Sequence, residues 1–166
     1  MEGIIDVYFA RLYPDVKIPT KRDEDAGYDI YAYFDDDYIK IEPQTTAMIP
    51  TGIISAFPKE IVGILKERGS TGTKGMGQRS GVIDSGYRGE WIIPITNLNK
   101  KPIIIAKDNV ISSFDKDSNI IYPYNKAIAQ CLFLKLPQVC SKELSTELIL
   151  SMKSERGSGK LGSTNK

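Results

Sequence analysis

Seven prolines, at positions 43, 50, 58, 94, 102, 123 and 137, fall inside or beside most of the apolar runs of this 166-residue chain. Proline in a helix interior removes a hydrogen bond and clashes with the preceding turn, so long helices are disfavoured throughout that region. Between the prolines lie short runs rich in Ile, Val, Tyr, Phe and Thr: IIDVYFARL (4–12), YDIYAYF (28–34), YIKIEP (38–43), TTAMIPTGIISAF (45–57), EIVGILKE (60–67), GVID (81–84), EWIIPITNL (90–98), KPIIIAK (101–107) and AIAQCLFLKL (127–136). Gly, Asn, Asp and Pro separate them at roughly 8 to 15 residues, and no long segment carries a helical apolar period. This pattern predicts an all-β chain, antiparallel and jelly-roll-like or closely related.

The chain length suits one domain with a real core. Apolar residues at 41% and charged residues at 26% are those of an ordinary globular protein, which argues against global disorder and a membrane class. A formal charge of +1 offers no overall field for nucleic acid or an acidic membrane, so direct nucleic-acid binding is not expected and a polyanion would need a local site. The N-terminal MEGIIDVYFARLYP is unlike a signal peptide, and an intracellular, cytoplasmic protein is expected. Cys131 and Cys140 alone make neither a disulfide framework nor a metal cluster. With no histidine, acid-base work falls to Asp, Glu, Lys, Tyr or Cys, and Ser-His-Asp, Cys-His and HExxH schemes are excluded.

The stretch DNVISSFDKDSNIIYPYN (108–125), with a charged, turn-rich middle, predicts a hairpin excursion or a long loop. SKELSTELILSMKS (141–154) could open a short helix at its capping-like STEL or add an edge strand. SERGSGKLGSTNK (154–166) loses all periodicity and reads as a flexible Gly-rich tail, which leaves residues 1–153 as the β domain.

Two Gly/Ser/Thr-rich runs carry fixed cations, KERGSTGTKGMG (66–77) around Arg68 and RGSGKLGSTN (156–165) around Arg156. Glycine-freed amides, hydroxyls and an arginine fork suit an anionic ligand, although solubilising flexible loops would have the same composition. GSGK is not a P-loop, because Ser154 stands where its first glycine belongs and Leu161 where the Mg-binding hydroxyl belongs. Asp29 heads an alternating strand and could be an ordered carboxylate near a metal or an arginine, whereas Asp23, Glu24, Asp25 and Asp35 to Asp37 look like solvated turn residues. In GVIDSGYRGEW (81–91), Ser85-Gly86 is a tight-turn pair between core-like Val82, Ile83, Trp91, Ile92 and Ile93. Asp84 faces that turn, either as a turn aspartate accepting backbone N–H groups or as a catalyst.

Taken in order, DAGYDIYA (25–32), RGSTGTKG (68–75), GVIDSGYRG (81–89), AIAQCLF (127–133) and RGSGKLGSTN (156–165) resemble the five motifs of the trimeric deoxyuridine triphosphatase (dUTPase) family. The resemblance spans essentially the whole chain. It implies a homotrimer of jelly-roll-like subunits that hydrolyses dUTP to dUMP and pyrophosphate with Mg2+, each active site collecting motifs from all three subunits and closed by the fifth. By position it makes Asp84, partly buried and hydrogen-bonded, the base for the attacking water, and Tyr87 the residue under deoxyribose. The hairpin backbone from Gly81 to about Ile92 would read uracil. Arg68, Gly69 and Ser70 would hold phosphates, Gln130 would order that region, and Asp29 would reach Mg2+ through water. Arg156 would clamp the terminal phosphate with Ser163 and Thr164, and Leu161 and Gly162 belong to the same tail that closes over the nucleotide.

The chain departs from the motifs at several places. Arg68-Gly69-Ser70 replaces Arg-Ser-Gly, Gly86 replaces a common aspartate, Ala127 an arginine, Lys160 a glycine and Leu161 an aromatic. The neighbouring readings are a dCTP deaminase or bifunctional deaminase-diphosphatase of the same fold, and a non-catalytic nucleotide-binding or regulatory protein.

Overall fold

The computed structural model describes residues 4–159. The chain divides into two compact units, Met1–Leu136 and Pro137–Lys166. The first is built of short strands in four sheets. Strand β1 (Tyr8–Arg11) pairs with β5 (Ile53–Ala56). A four-stranded sheet has the order β2 (Tyr28–Ile30), β12 (Ala129–Lys135), β6 (Ile61–Lys66) and β8 (Val82–Ile83). Strand β9 (Ile92–Asn97) lies between β4 (Thr46–Pro50) and β7 (Met76–Gln78), and β10 (Ile103–Ala106) between β11 (Ile120–Pro123) and β3 (Tyr38–Ile41).

This is the expected all-β, jelly-roll-like architecture, and the core follows from its patterning. In YDIYAYF the burial alternates, with Ile30, Ala32 and Phe34 inside and Tyr31 and Tyr33 partly exposed, as a half-buried extended chain requires. Every residue of β10 is buried, which explains its unbroken Ile-Ile-Ile-Ala run. Trp91, Ile49, Ile93 and Ile103 are fully enclosed at the centre.

Proline is unusual in a central strand, yet Pro94 lies in β9. Its carbonyl accepts from Arg79 N, so its missing N–H falls on the β7 side, just past the last ladder pair at Gln78 and Ile95. No bond to β4 is lost. Pro50 and Pro123 stand at the ends of strands at sheet edges, where proline is tolerated.

Of the two alternatives for residues 108–125, the long loop holds and the hairpin does not, because β11 pairs with β10 in parallel, Ile103 opposite Ile120. A parallel return needs a crossover of about a dozen residues, and residues 107–119, with a 3-10 turn at Ile111–Ser113, provide it. The stretch from Gly81 to Ile92 is likewise not a paired hairpin. Strand β8 joins β6, while β9 joins β4 and β7, so the residues between them form an arc linking two sheets.

A one-turn helix, α1 (Gly69–Gly72), opens from Arg68. Buried Thr71 stabilises it, its hydroxyl accepting from Arg68 N at 2.9 Å. In the second unit the alternatives at STEL resolve to a helix, α2 (Thr146–Ser151). Ser145 caps it by accepting from Leu148 N. Hydrogen bonds from the Glu147 amide and the Ser145 side chain hold the Glu147 carboxyl below the usual carboxylate range.

Candidate functional site

The centre of β12 brings three of the sequence motifs together. Gln130 stands opposite Asp29 of β2 on one side and opposite Lys66 of β6 on the other. Its side-chain amide donates to the Glu67 carbonyl at 2.8 Å, fixing the chain immediately before Arg68. Gly27 is required there, because a Cβ would collide with the Gln130 side-chain oxygen. Gln130 fills the space that Gly27 leaves.

Arg68, Gly69, Ser70, Asp29 and Gln130 line an open cleft of about 490 Å3. Arg68 grips Asp29 through two bonds, Nε to Oδ1 at 2.7 Å and Nη2 to Oδ2 at 3.2 Å, and its Nη1 donates to Ser70 Oγ at 3.1 Å. Asp29 is therefore an ordered carboxylate beside an arginine. Because both side chains keep about a third of their surface exposed, the pair adds little stability; its role is orientation. Ser70 lies one place beyond the family's usual position, yet Arg68 still holds its hydroxyl at the cleft.

The sequence reading missed Arg22. It lies on the cleft and holds Asp25 through Nε to Oδ2 at 2.9 Å and Nη2 to Oδ1 at 3.0 Å, which keeps the Asp25 carboxyl below the usual range. The pair is solvent-exposed, so Asp25 remains a solvated residue, held at the edge of the cleft by its neighbour. With Glu24 also on the cleft, three acids face two guanidinium groups.

Asp84, Tyr87 and Ile92 line a second cavity of about 230 Å3 with Met48, Val82 and Pro94. The turn from Asp84 to Tyr87 is closed by Tyr87 N donating to the Asp84 carbonyl at 3.0 Å. The Asp84 side chain takes no part: it is exposed, and among the described residues no hydrogen bond reaches its carboxylate. That removes the reading of Asp84 as a turn acceptor and corrects the expectation of a partly buried, hydrogen-bonded group within one chain. The Tyr87 hydroxyl donates to the Glu90 carbonyl at 3.0 Å, and Arg88 Nη1 donates to the Ser85 carbonyl at 2.7 Å, folding the arc on itself.

Gly81 is not among the residues lining that cavity; its role in the structure is a close approach. Its carbonyl accepts from Leu65 N at 2.7 Å, and a Cβ would stand 2.8 Å from the Leu65 carbonyl oxygen. A side chain at Gly86, by contrast, would meet nothing within 4 Å. Ala127 is buried where the family's arginine would be, and its carbonyl accepts from the Tyr122 hydroxyl at 2.5 Å.

In the fifth motif, Arg156 lies in the second unit, its Nε donating to the Gly159 carbonyl at 3.4 Å. Leu161, Gly162, Ser163 and Thr164 fall outside the described residues. Among the described residues no group of three His, Cys, Asp or Glu side chains could hold a metal. A hard cation that keeps its waters and binds mainly to substrate phosphates would still fit beside the carboxylates of the cleft.

The family model for dUTPase matches residues 15–114, which spans the cleft's first two motifs and the Asp84 arc. A deoxyuridine 5'-triphosphate nucleotidohydrolase of Leptospira interrogans is 31% identical over 162 residues, 95% of this chain and 97% of the relative. The chain belongs to the dUTPase family. Its fold is similar to that of the Staphylococcus bacteriophage 80alpha dUTPase with dUPNHPP, at TM-score 0.73 and 23% identity over 97% of this chain and 99% of that one. It is also similar to a mutant dUTPase from phage phi11 of S. aureus, whose structure reveals the coordination of a structural Mg(II) ion, at TM-score 0.64 and 25% identity over 84% of this chain and 96% of that one.

Proposed function

We propose that the chain hydrolyses dUTP to dUMP and pyrophosphate, removing dUTP, supplying dUMP for dTMP synthesis and keeping uracil out of DNA. The observation that carries this is the unengaged Asp84 carboxylate, held by its turn at the mouth of the cavity it shares with Tyr87. A base must be free to accept a proton, and the turn fixes its backbone without occupying its oxygens.

In this reading Asp84 takes a proton from water, whose oxygen then attacks the α-phosphorus. The bond to the bridging oxygen breaks, and its electron pair leaves with pyrophosphate. Positioning contributes much of the rate, because the leaving group is good. Tyr87 packs against the deoxyribose and leaves no room for a 2′-hydroxyl. The arc from Gly81 to Ile92 presents backbone groups to uracil, while clashes and unpaired donors reject thymine and cytosine.

Arg68, Gly69 and Ser70 take phosphates, with Gln130 holding their strand. Both guanidinium groups of the cleft are already paired with carboxylates, so a triphosphate needs further positive charge. Asp29 would hold Mg2+ through water, and the ion would supply that charge when bound. Arg156 adds charge from the tail, with Leu161, Gly162, Ser163 and Thr164 covering the nucleotide.

The cleft and the Asp84 cavity are separate in one chain, and Asp84 is exposed, which supports a homotrimer whose sites combine motifs from different subunits. No helix among the described residues is long and apolar enough to cross a membrane, and we place the enzyme in the cytoplasm. Pyrophosphate release from dUTP with Mg2+, run beside dCTP, dTTP and UTP, tests the reading. Turnover confined to dUTP is expected; ammonia from dCTP would indicate the deaminase, and binding without turnover a regulatory protein.

A further inference from the structure

Glu90 joins the arc to the body of the chain. Its Oε1 accepts two backbone amides, Thr51 N at 3.1 Å and Gly52 N at 2.7 Å, in the turn that links β4 to β5. That turn is itself fixed, with Gly52 at φ +67° and the Thr51 hydroxyl donating to the Trp91 carbonyl at 2.6 Å. The Glu90 carbonyl in turn accepts the Tyr87 hydroxyl. Glu90 also lines both the Asp84 cavity and a cavity of about 270 Å3 with Tyr13 and Tyr33. One residue therefore links the β4–β5 turn to the tyrosine, with its side chain holding the turn and its carbonyl holding the phenol. The arc is also tied to β5 through Trp91, whose N donates to the Ile53 carbonyl at 2.9 Å and whose Nε1 donates to Ser55 Oγ at 3.0 Å, and through Arg88 Nη1 to the Ser55 carbonyl at 3.3 Å.

We propose that Glu90 is a positioning residue that sets how far the Tyr87 ring stands into the site, and through it the preference for deoxyribose over ribose. The inference rests on the reading of Tyr87 as the residue under the sugar. Exclusion by clash works only if the excluding group cannot retreat, since a displacement of about 1 Å would admit an extra hydroxyl. Without the carboxylate, two amide donors lose their acceptor, and the peptide whose carbonyl holds the phenol is left anchored on one side only, by Trp91 N to the Ile53 carbonyl.

The test compares kcat and KM for dUTP and UTP in wild type, E90Q, E90A and Y87F. In E90A, KM for dUTP is expected to rise about tenfold with kcat changed less than threefold, and the dUTP-to-UTP preference to narrow about tenfold, the size of effect expected from a lost charge-assisted contact. E90Q keeps an acceptor oxygen and should recover most of that preference. The pair E90A with Y87F should lose no more preference than the worse single variant, because both cut one link. If E90A does not fold, Y87F, which removes the bond from the phenol to the Glu90 carbonyl, carries the comparison, with the same narrowing expected. A wild-type chain that turns over dUTP, with preference and KM unchanged in E90A, or in Y87F where E90A does not fold, overturns this inference alone. A wild-type chain without dUTP turnover overturns the reading on which it rests.

Discussion

Replacing Asp84 with asparagine preserves the shape of the arc, because the turn is closed by the backbone, and removes only the proton acceptor. The expected result is dUTP binding within about threefold of wild type and a kcat at least about 100-fold lower, measured by titration and by pyrophosphate release. Unchanged kcat would move the base elsewhere. Arg68→Lys tests the cleft: a lysine cannot reproduce the two-toothed grip on Asp29 while also reaching Ser70, and KM should rise about tenfold. The two thiols give a check on packing. Cys131 is buried and Cys140 exposed, so a thiol reagent should label one cysteine per native chain, and both after denaturation. At this scale the sequence singled out Asp84, Tyr87 and Arg68, which the structure places on cavities, but it could not pair Arg68 with Asp29 or find Arg22 and Glu90. Asp29 lies far from Arg68 along the chain, Glu90 binds backbone amides, and the Arg22–Asp25 pair, though only three residues apart, gains its place on the cleft from the fold.

Among the elements, β8 shows how close packing governs a residue the motif makes prominent. Gly81→Ala would drive a Cβ against the Leu65 carbonyl of β6, and a backbone atom cannot swing aside. A destabilisation of about 1 to 3 kcal/mol is expected, read as a lower melting temperature by circular dichroism, with binding affected through the displaced strand. Gly86→Asp, at an open position in the same arc, should leave the melting temperature within about 2 °C. Strand existence was legible from the prolines and the alternating YDIYAYF, since steric and burial rules act over a few residues. Partner choice was not. Nothing local to KPIIIAK or NIIYPYN says that the second returns parallel to the first, and nothing in GVID or EWIIPITNL assigns them to different sheets.

For the whole molecule, removal of residues 154–166 should leave the fold and oligomer intact, since the β core lies in the first unit, while catalysis falls sharply. Circular dichroism and light scattering would report the first outcome and pyrophosphate release the second, with a scattering mass of three chains expected throughout. Alkaline stability follows from two groups. Burial pushes the Cys131 thiol up to about 12, and the hydrogen bond to Asp15 raises the Tyr33 phenol to about 12. Both stay protonated in the fold while their unfolded counterparts ionise, Cys131 above about pH 9 and Tyr33 above about pH 10. Their contribution is thus complete below those values and is lost as pH rises toward 12. Melting temperature should fall over that window, less steeply in Cys131→Ala.

The sequence by itself determined the all-β class, the absence of histidine chemistry and the five-motif order that places the chain among dUTPases, because each is carried by residue type and short-range spacing. The tertiary structure decided which strands pair, that Asp84 stands unengaged on an arc between two sheets, that the cleft's arginines are already held by carboxylates, and that Glu90 ties Tyr87 to the β4–β5 turn. Apart from the Arg22–Asp25 pair, those depend on contacts between residues far apart in the chain, which form only once burial of Trp91 and the isoleucine core has fixed the sheets against one another.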